Sequence, residues 1–187
     1  MPQDVTTATL LDGLRTAANV LDIDRLTCED VIRAGLLGEV FRVDGRLAVR
    51  GRVAQELADS WPVFDPQDPT LTPALVVKVK AARREGDGTD RKWIGWHADL
   101  SPQEQADGVR GWWTVKDVKQ WTGGLLVATI GGIVVDVWRI TGHQTIGGKL
   151  QRFEVAPPGS HDADAARYKE HRMPPSPGGV TLRLPMV

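Results

Sequence analysis

The run LLVATI-GG-IVVDVWRI, from Leu125 to Ile140, constrains this chain more than any other. Two apolar, β-branched segments flank a Gly-Gly pair. Glycine reaches the positive φ of a two-residue hairpin turn without strain, so the run predicts a tight hairpin. A hairpin this apolar is not stable alone and needs further strands or helices to cover it. The stretch around it, from Lys92 to Val155, holds six of the seven tryptophans: Trp93, Trp96, Trp112, Trp113, Trp121 and Trp138.

Covering strands are legible on both sides. ALVVKVK (74–80), KWIGWH (92–97), RGWWTV (110–115) and KLQRFEV (149–155) read as strands, and VTLRLPMV at the end alternates as a closing strand. Ser101-Pro-Gln-Glu104 starts a short helix, with Ser101 as cap, Pro102 at the first position and Glu104 closing a capping box. ARREGDGTDRK (82–92) and TGHQTIGG (141–148) read as loops, and residues 158–187 as an irregular tail with one helical turn near 163–170. About six short strands with few short helices predict a compact barrel or strongly curved sheet. They argue against a parallel Rossmann-like sheet, whose crossovers are longer.

The N-terminal third has a different pattern. Thr6 or Thr7 caps a first helix, with Leu10, Leu11, Leu14, Ala17, Ala18 and Leu21 on one face. Thr27 and Asp30 have capping-box spacing for a second helix that ends near Gly35. Asp44-Gly45 joins alternating runs from Val40 to Arg50 as a hairpin, and a third helix follows over 52–60. Helices followed by a hairpin bearing Arg42, Arg46, Arg50 and Arg52 fit a small winged-helix-like unit that touches phosphate. They fit a helical adaptor with solvated arginines as well, and the acidic balance of the segment favours the adaptor. PVFDPQDPTLTP (62–73) has four prolines and no periodicity, which predicts a linker. The expected class is therefore α+β: a helical unit with a hairpin (1–61), a linker (62–73), a mixed or antiparallel β-barrel (74–157) and a tail (158–187).

Charge follows the same division. The net charge of −1 combines seven Lys/Arg against twelve Asp/Glu in residues 1–69 with sixteen against twelve in residues 70–187. The basic half is the Trp-rich half, which favours a flat, anionic ligand such as nucleic acid. One cysteine, Cys28, allows no intramolecular disulfide and fits a reducing compartment. No apolar run reaches the roughly 20 residues of a membrane span, and the N-terminus lacks a basic and then apolar leader. The expectation is a cytoplasmic protein without a membrane partner. No G-x-S-x-G, Walker A or G-x-G-x-x-G motif occurs, and the four histidines match no standard ligand spacing, so no catalytic residue, metal or cofactor is assigned.

The strand and helix order carries a resemblance. Gly108-Val-Arg-Gly-Trp-Trp113 resembles the start of EVE-type domains, and Gly132-Ile-Val-Val-Asp-Val-Trp-Arg-Ile140 resembles a barrel strand of the PUA-like superfamily, with its ASCH, EVE and YTH branches. The resemblance covers roughly residues 74–157. It implies a reader of RNA, or of DNA with a modified or flipped base held in an aromatic pocket. It also implies that any effector lies on another chain, since no nuclease motif is present. A non-catalytic protein-interaction adaptor, or a phage-related accessory protein, is the alternative.

The candidate ligand-binding residues are Trp93, Trp96, Arg110, Trp112, Trp113, Asp136, Trp138, Arg139, His143 and Arg152. A tryptophan offers a face for base stacking, or else fills a small barrel. Strict alternation sends Trp112 and Trp113 to opposite faces, one inward and one outward, with the outer one near Arg110 and the loop 141–148. Asp136, expected on the face of Val134 and Trp138, either accepts a hydrogen bond from a base or pairs with Arg110 or Arg152.

Overall fold

The computed structural model describes residues 11–85, 91–174 and 181–185. Its N-terminal unit opens with β1 (Leu11–Gly13), α1 (Leu14–Leu21) and α2 (Arg25–Arg33). The expected caps Thr6 and Thr7 lie outside the described residues. Leu11, expected on the first helix, is in β1 instead, and α1 starts after Gly13. α2 starts earlier than Thr27 because Asp24 caps it, accepting from the main-chain N–H groups of Leu26 and Thr27 and from the Thr27 hydroxyl. Thr27 thus serves its neighbour's cap rather than forming its own.

β2 (Val40–Val43) and β3 (Arg46–Arg50) form the expected hairpin, turned by Asp44 and Gly45 at φ 49° and 75°. α3 (Val53–Ser60) follows. β1 pairs antiparallel with β3, giving a three-stranded sheet of order β1-β3-β2. Residues 62–73, expected as a linker, bury Phe64 and Leu71.

The larger sheet is built from β4 (Ala74–Lys78), β7 (Gly111–Thr114), β8 (Leu125–Ile130), β9 (Ile133–Ile146), β10 (Leu150–Ala156) and β11 (Thr181–Leu184). Between β4 and β7 lie the small pair β5 (Arg83–Arg84) and β6 (Trp93–Ile94), then α4 (Pro102–Val109). A single 3-10 turn, Val118–Trp121, leads into β8, and α5 (Ala163–Ala166) precedes β11. The strand order is β11-β4-β8-β9-β10-β7, with β4 and β8 parallel and every other neighbour antiparallel. The molecule is mixed α+β, with a curled six-stranded sheet that closes part of a barrel. No helix among the described residues is long and apolar enough to cross a membrane.

Three boundaries differ from the sequence expectation. β9 runs on through Thr141–Ile146, so the expected loop 141–148 is strand until its turn at Gly147-Gly148, both at positive φ. Arg83 and Arg84, expected in a loop, pair with Ile94 and Trp93. KWIGWH is strand only at Trp93–Ile94. There the chain turns at Gly95 (φ 94°), where a Cβ would stand 2.4 Å from the Lys80 carbonyl oxygen, and α4 packs so close that a Cβ on Gly108 would stand 2.3 Å from the Gly95 carbonyl oxygen.

Two apolar clusters hold the fold. One joins α1, α2 and α3 to the sheet, through residues such as Val31, Ile32, Leu126, Ile133, Trp138 and Phe153. The Gly131 turn of the β8–β9 hairpin abuts α2 so closely that an added Cβ would meet the methyls of Thr27 and Val31 at 2.9 Å. The other cluster brings Phe64 and Leu71 against Val76, Val127, Val137, Tyr168 and Leu184. Phe64 stacks on Tyr168 at 5.2 Å, and the Tyr168 hydroxyl donates to the Thr72 carbonyl. Successive residues along β4 and β8 thus alternate between the two cores, as strands covered on both faces require.

Candidate functional site

The tryptophans divide into two groups. Trp96, Trp121 and Trp138 are buried and belong to the first cluster. They are core side chains. Trp96 and Trp138, candidates for a ligand face, have no exposed ring to offer. Trp93, Trp112 and Trp113 are half-buried.

Two of these carry a guanidinium over the ring. Arg84, directly across the β5–β6 ladder from Trp93, places its guanidinium 5.6 Å from that ring. Arg152 on β10 stands 5.7 Å over Trp112. Arg91 joins the two places, since its Nη1 donates to the Gly111 carbonyl at 2.8 Å. Arg110 closes the group from the end of α4, paired with Asp107 at 2.7 Å. The Glu104 carboxyl, also beside Trp93, is held below the usual carboxylate range, chiefly by the Ser101 hydroxyl and main chain. The result is an arginine–tryptophan rim made by the separate β5–β6 pair together with β7 and β10, with Arg84 on Trp93 and Arg91, Arg110 and Arg152 about Trp112.

Strict alternation fails at Trp112. The β7–β10 ladder pairs Trp113 with Gln151 and Gly111 with Arg152, so Trp112 has no partner opposite it. It is the extra residue of a β-bulge. The expected division into one buried and one exposed indole is therefore corrected: both are half-buried, for different reasons. Trp113 packs against the first cluster and donates its indole N–H to the Val109 carbonyl at 2.8 Å. Trp112 lies in a narrow crevice with Arg91, Asp107, Arg110, Gly111 and Arg152.

A second bulge displaces Asp136. Ala128 pairs with Asp136 and Thr129 with Val134, which leaves Val135 unpaired. Val134 therefore joins the second cluster and Trp138 the first. Of the expected shared face only Asp136 and Trp138 remain, opposite Ala128 and Leu126, while Val134 is turned to the other side. The Asp136 carboxylate pairs with neither Arg110 nor Arg152; it accepts from the Val137 N–H at 2.8 Å. Burial pushes its pKa up, against that bond and Lys169.

Arg139 is engaged elsewhere. Its guanidinium forms a bidentate pair with Asp162 at 2.7 Å, reaches Asp164 at 3.1 Å and donates to the Gly123 carbonyl. Asp162 is held below its ordinary range chiefly by Arg139, and Asp164 chiefly by Thr72 and then Arg139. This network pins the tail onto β9, so Arg139 is a structural residue at this position. His143 is half-buried on β9 opposite Phe153, remote from Arg139's pair. Among the described residues no group of His, Cys, Asp and Glu is placed to hold a metal ion.

Of the ten candidates, the structure brings together Trp93, Arg110, Trp112 and Arg152. It adds Arg84 and Arg91, which sequence reasoning had placed in a loop. Comparison with protein-family models, with curated proteins and with solved structures returns no significant match.

Proposed function

We propose that this chain binds nucleic acid through the arginine–tryptophan rim of β6, β7 and β10. The observation that carries the reading is the pair of guanidinium-covered, half-exposed indoles, Arg84 on Trp93 and Arg152 on Trp112, linked through Arg91. A guanidinium offers a fork that suits phosphate oxygens. Its plane and the indole edge beside it offer a stacking surface for an unpaired base. The crevice at Trp112 is too narrow to enclose a base. The reading is accordingly an open surface for backbone and stacked bases, and an enclosed pocket for a flipped base would require Arg152 to move. The curled sheet supports the PUA-like part of the reading. A turn of three residues between α1 and α2, followed by a hairpin that pairs with β1, supports a winged-helix-like N-terminal unit. An effector on another chain completes the proposed system.

Fluorescence titration with single-stranded and duplex oligonucleotides tests this. Tryptophan emission is expected to change on binding, and affinity to fall steeply between about 50 and 200 mM salt. The Arg84→Glu/Arg152→Glu double variant is expected to abolish the change. Absence of any binding at low salt, together with recovery of one stoichiometric, nuclease-insensitive protein partner, would replace the reading with that of a protein-interaction adaptor.

A further inference from the structure

Of the large apolar side chains exposed among the described residues, only Ile146 and Leu150 face each other across a strand ladder. They are 50% and 41% exposed. Together they close the tip of the β9–β10 hairpin, on either side of the turn at Gly147-Gly148. The hairpin projects: past Ile140, β9 has run beyond the end of β8 and pairs with β10 alone. A Cβ on Gly147 or Gly148 would meet no atom within 4 Å, so the turn stands in open space.

The hairpin does not need this pair to hold together. Its inner face is anchored by Phe153, which is fully buried, and by Gln151, which is buried and accepts the Thr145 hydroxyl at 2.7 Å. β7 adds a third strand as far as Thr114, opposite Leu150. Ile146 and Leu150 lie on the other face, as alternation requires.

The neighbours of the pair on that outer face are polar or cationic. Lys149 is exposed in the turn, and Thr114 is exposed beside Leu150. The next rung of the ladder is Gln144 opposite Arg152, and Arg152 is the residue that covers Trp112. Leu150 and Arg152 are therefore roughly 7 Å apart along one strand face. Glu154, the first carboxylate on this face of the hairpin, is a rung further off and accepts from Gln144 at 3.3 Å. Two apolar side chains are far too few for a protein interface, which covers about 800 Å² on each partner. They match a single base step, where isoleucine and leucine wedges enter between stacked bases and kink a duplex.

We infer that the ligand of the arginine–tryptophan rim is duplex DNA opened at one base step, with Ile146 and Leu150 as the wedge. A base unstacked by the wedge has the Arg152–Trp112 surface one rung away to lie against. The inference rests on the nucleic-acid reading of the rim and adds to it the form of the ligand, a duplex with a step that opens easily.

Three oligonucleotides with a dye at each end test it: a single strand, its fully paired duplex and the same duplex with one mismatched pair. The full chain is expected to bind the mismatched duplex about tenfold more tightly than the paired one, since a mismatched pair is easier to open. Energy transfer between the duplex ends is expected to rise on binding, because a kink brings them closer. The double variant Ile146→Thr/Leu150→Thr keeps strand-forming residues at two exposed positions. It is expected to lose the mismatch preference and the rise in transfer, while its single-strand affinity and salt dependence match the parent chain. A parent chain that binds single strand and both duplexes equally, with no change in transfer, would overturn the wedge and leave the rim standing. So would a double variant that still bends and prefers the mismatched duplex. No binding of any of the three would remove the rim reading and the wedge together. If the double variant does not fold, Leu150→Thr alone is read by the same criteria.

Discussion

Inner and outer tryptophans of this molecule are one residue type in two situations. Trp96, Trp121 and Trp138 are spent on packing; the indole nitrogens of Trp96 and Trp121 are buried without a hydrogen-bond partner. Their contribution is apolar area, large enough to tolerate an unmet donor. Trp93 and Trp112 keep part of each ring at the surface, under arginines from neighbouring strands. The difference teaches that aromatic density alone does not mark a site. The cation over the ring is not a marker by itself either, since the Arg183 guanidinium stands 5.8 Å from the buried Trp121 ring; what sets Trp93 and Trp112 apart is a cation over a ring that stays half-exposed.

The largest effect expected from breaking this comparison is in the core. Trp138→Ala removes a side chain 3% exposed and is expected to cost about 3–5 kcal/mol, read as a lowered denaturant midpoint. Trp113→Ala should fall between the groups, at about 2 kcal/mol, because the ring is only half-buried but its loss also leaves the carbonyl of the buried Val109 without its donor. Trp112→Ala is expected to cost about 1 kcal/mol and yet to lower oligonucleotide affinity at least as much as Arg152→Ala does. If Trp112→Ala unfolds the chain, the two groups are not distinct and the rim is core.

The smallest expected effect comes from Asp136, beside the core but polar. Its folded pKa lies above the unfolded value because burial disfavours the charge. Its contribution is therefore favourable while the group is protonated, below the ordinary carboxylate range, and is lost as pH rises through the raised folded value. Asp136→Asn, which keeps an acceptor for the Val137 N–H, is expected to leave the protein as stable or slightly more stable at pH 7. It should also flatten the melting temperature between pH 4 and 7. A loss of several degrees at pH 7 would show that the charge itself has a partner.

What the sequence made legible follows from how local each signal is. The Asp44-Gly45 and Gly131-Gly132 hairpins and the Ser101 capping box depend on residues within a few positions, and all three form as expected. The closing strand was visible in its alternation, and it pairs with β4. The bulges at Trp112 and Val135 were not visible, since a bulge depends on what the partner strand does across the ladder. They are also what spoiled the assignment of faces for Trp112, Trp113 and Val134. Arg139 read as a surface cation because Asp162 and Asp164 lie in a segment without periodicity, 23 and 25 residues away.

The tail's grip on residues 58–72 has a consequence for synthesis of the chain. Arg167 binds Asp68 across 99 positions, and Arg172 reaches Ala58 across 114. A ribosome adding roughly 5–20 residues per second takes on the order of 5–20 s to traverse the first of these distances. For that interval Phe64, Leu71 and the second face of β4 wait without Tyr168 and Leu184, and β8 joins them once it emerges. The first cluster, whose helices and strands emerge sooner, has time to form alone. The nascent protein therefore passes through a stage with one finished core and one open apolar face, and that face is where a chaperone would hold it.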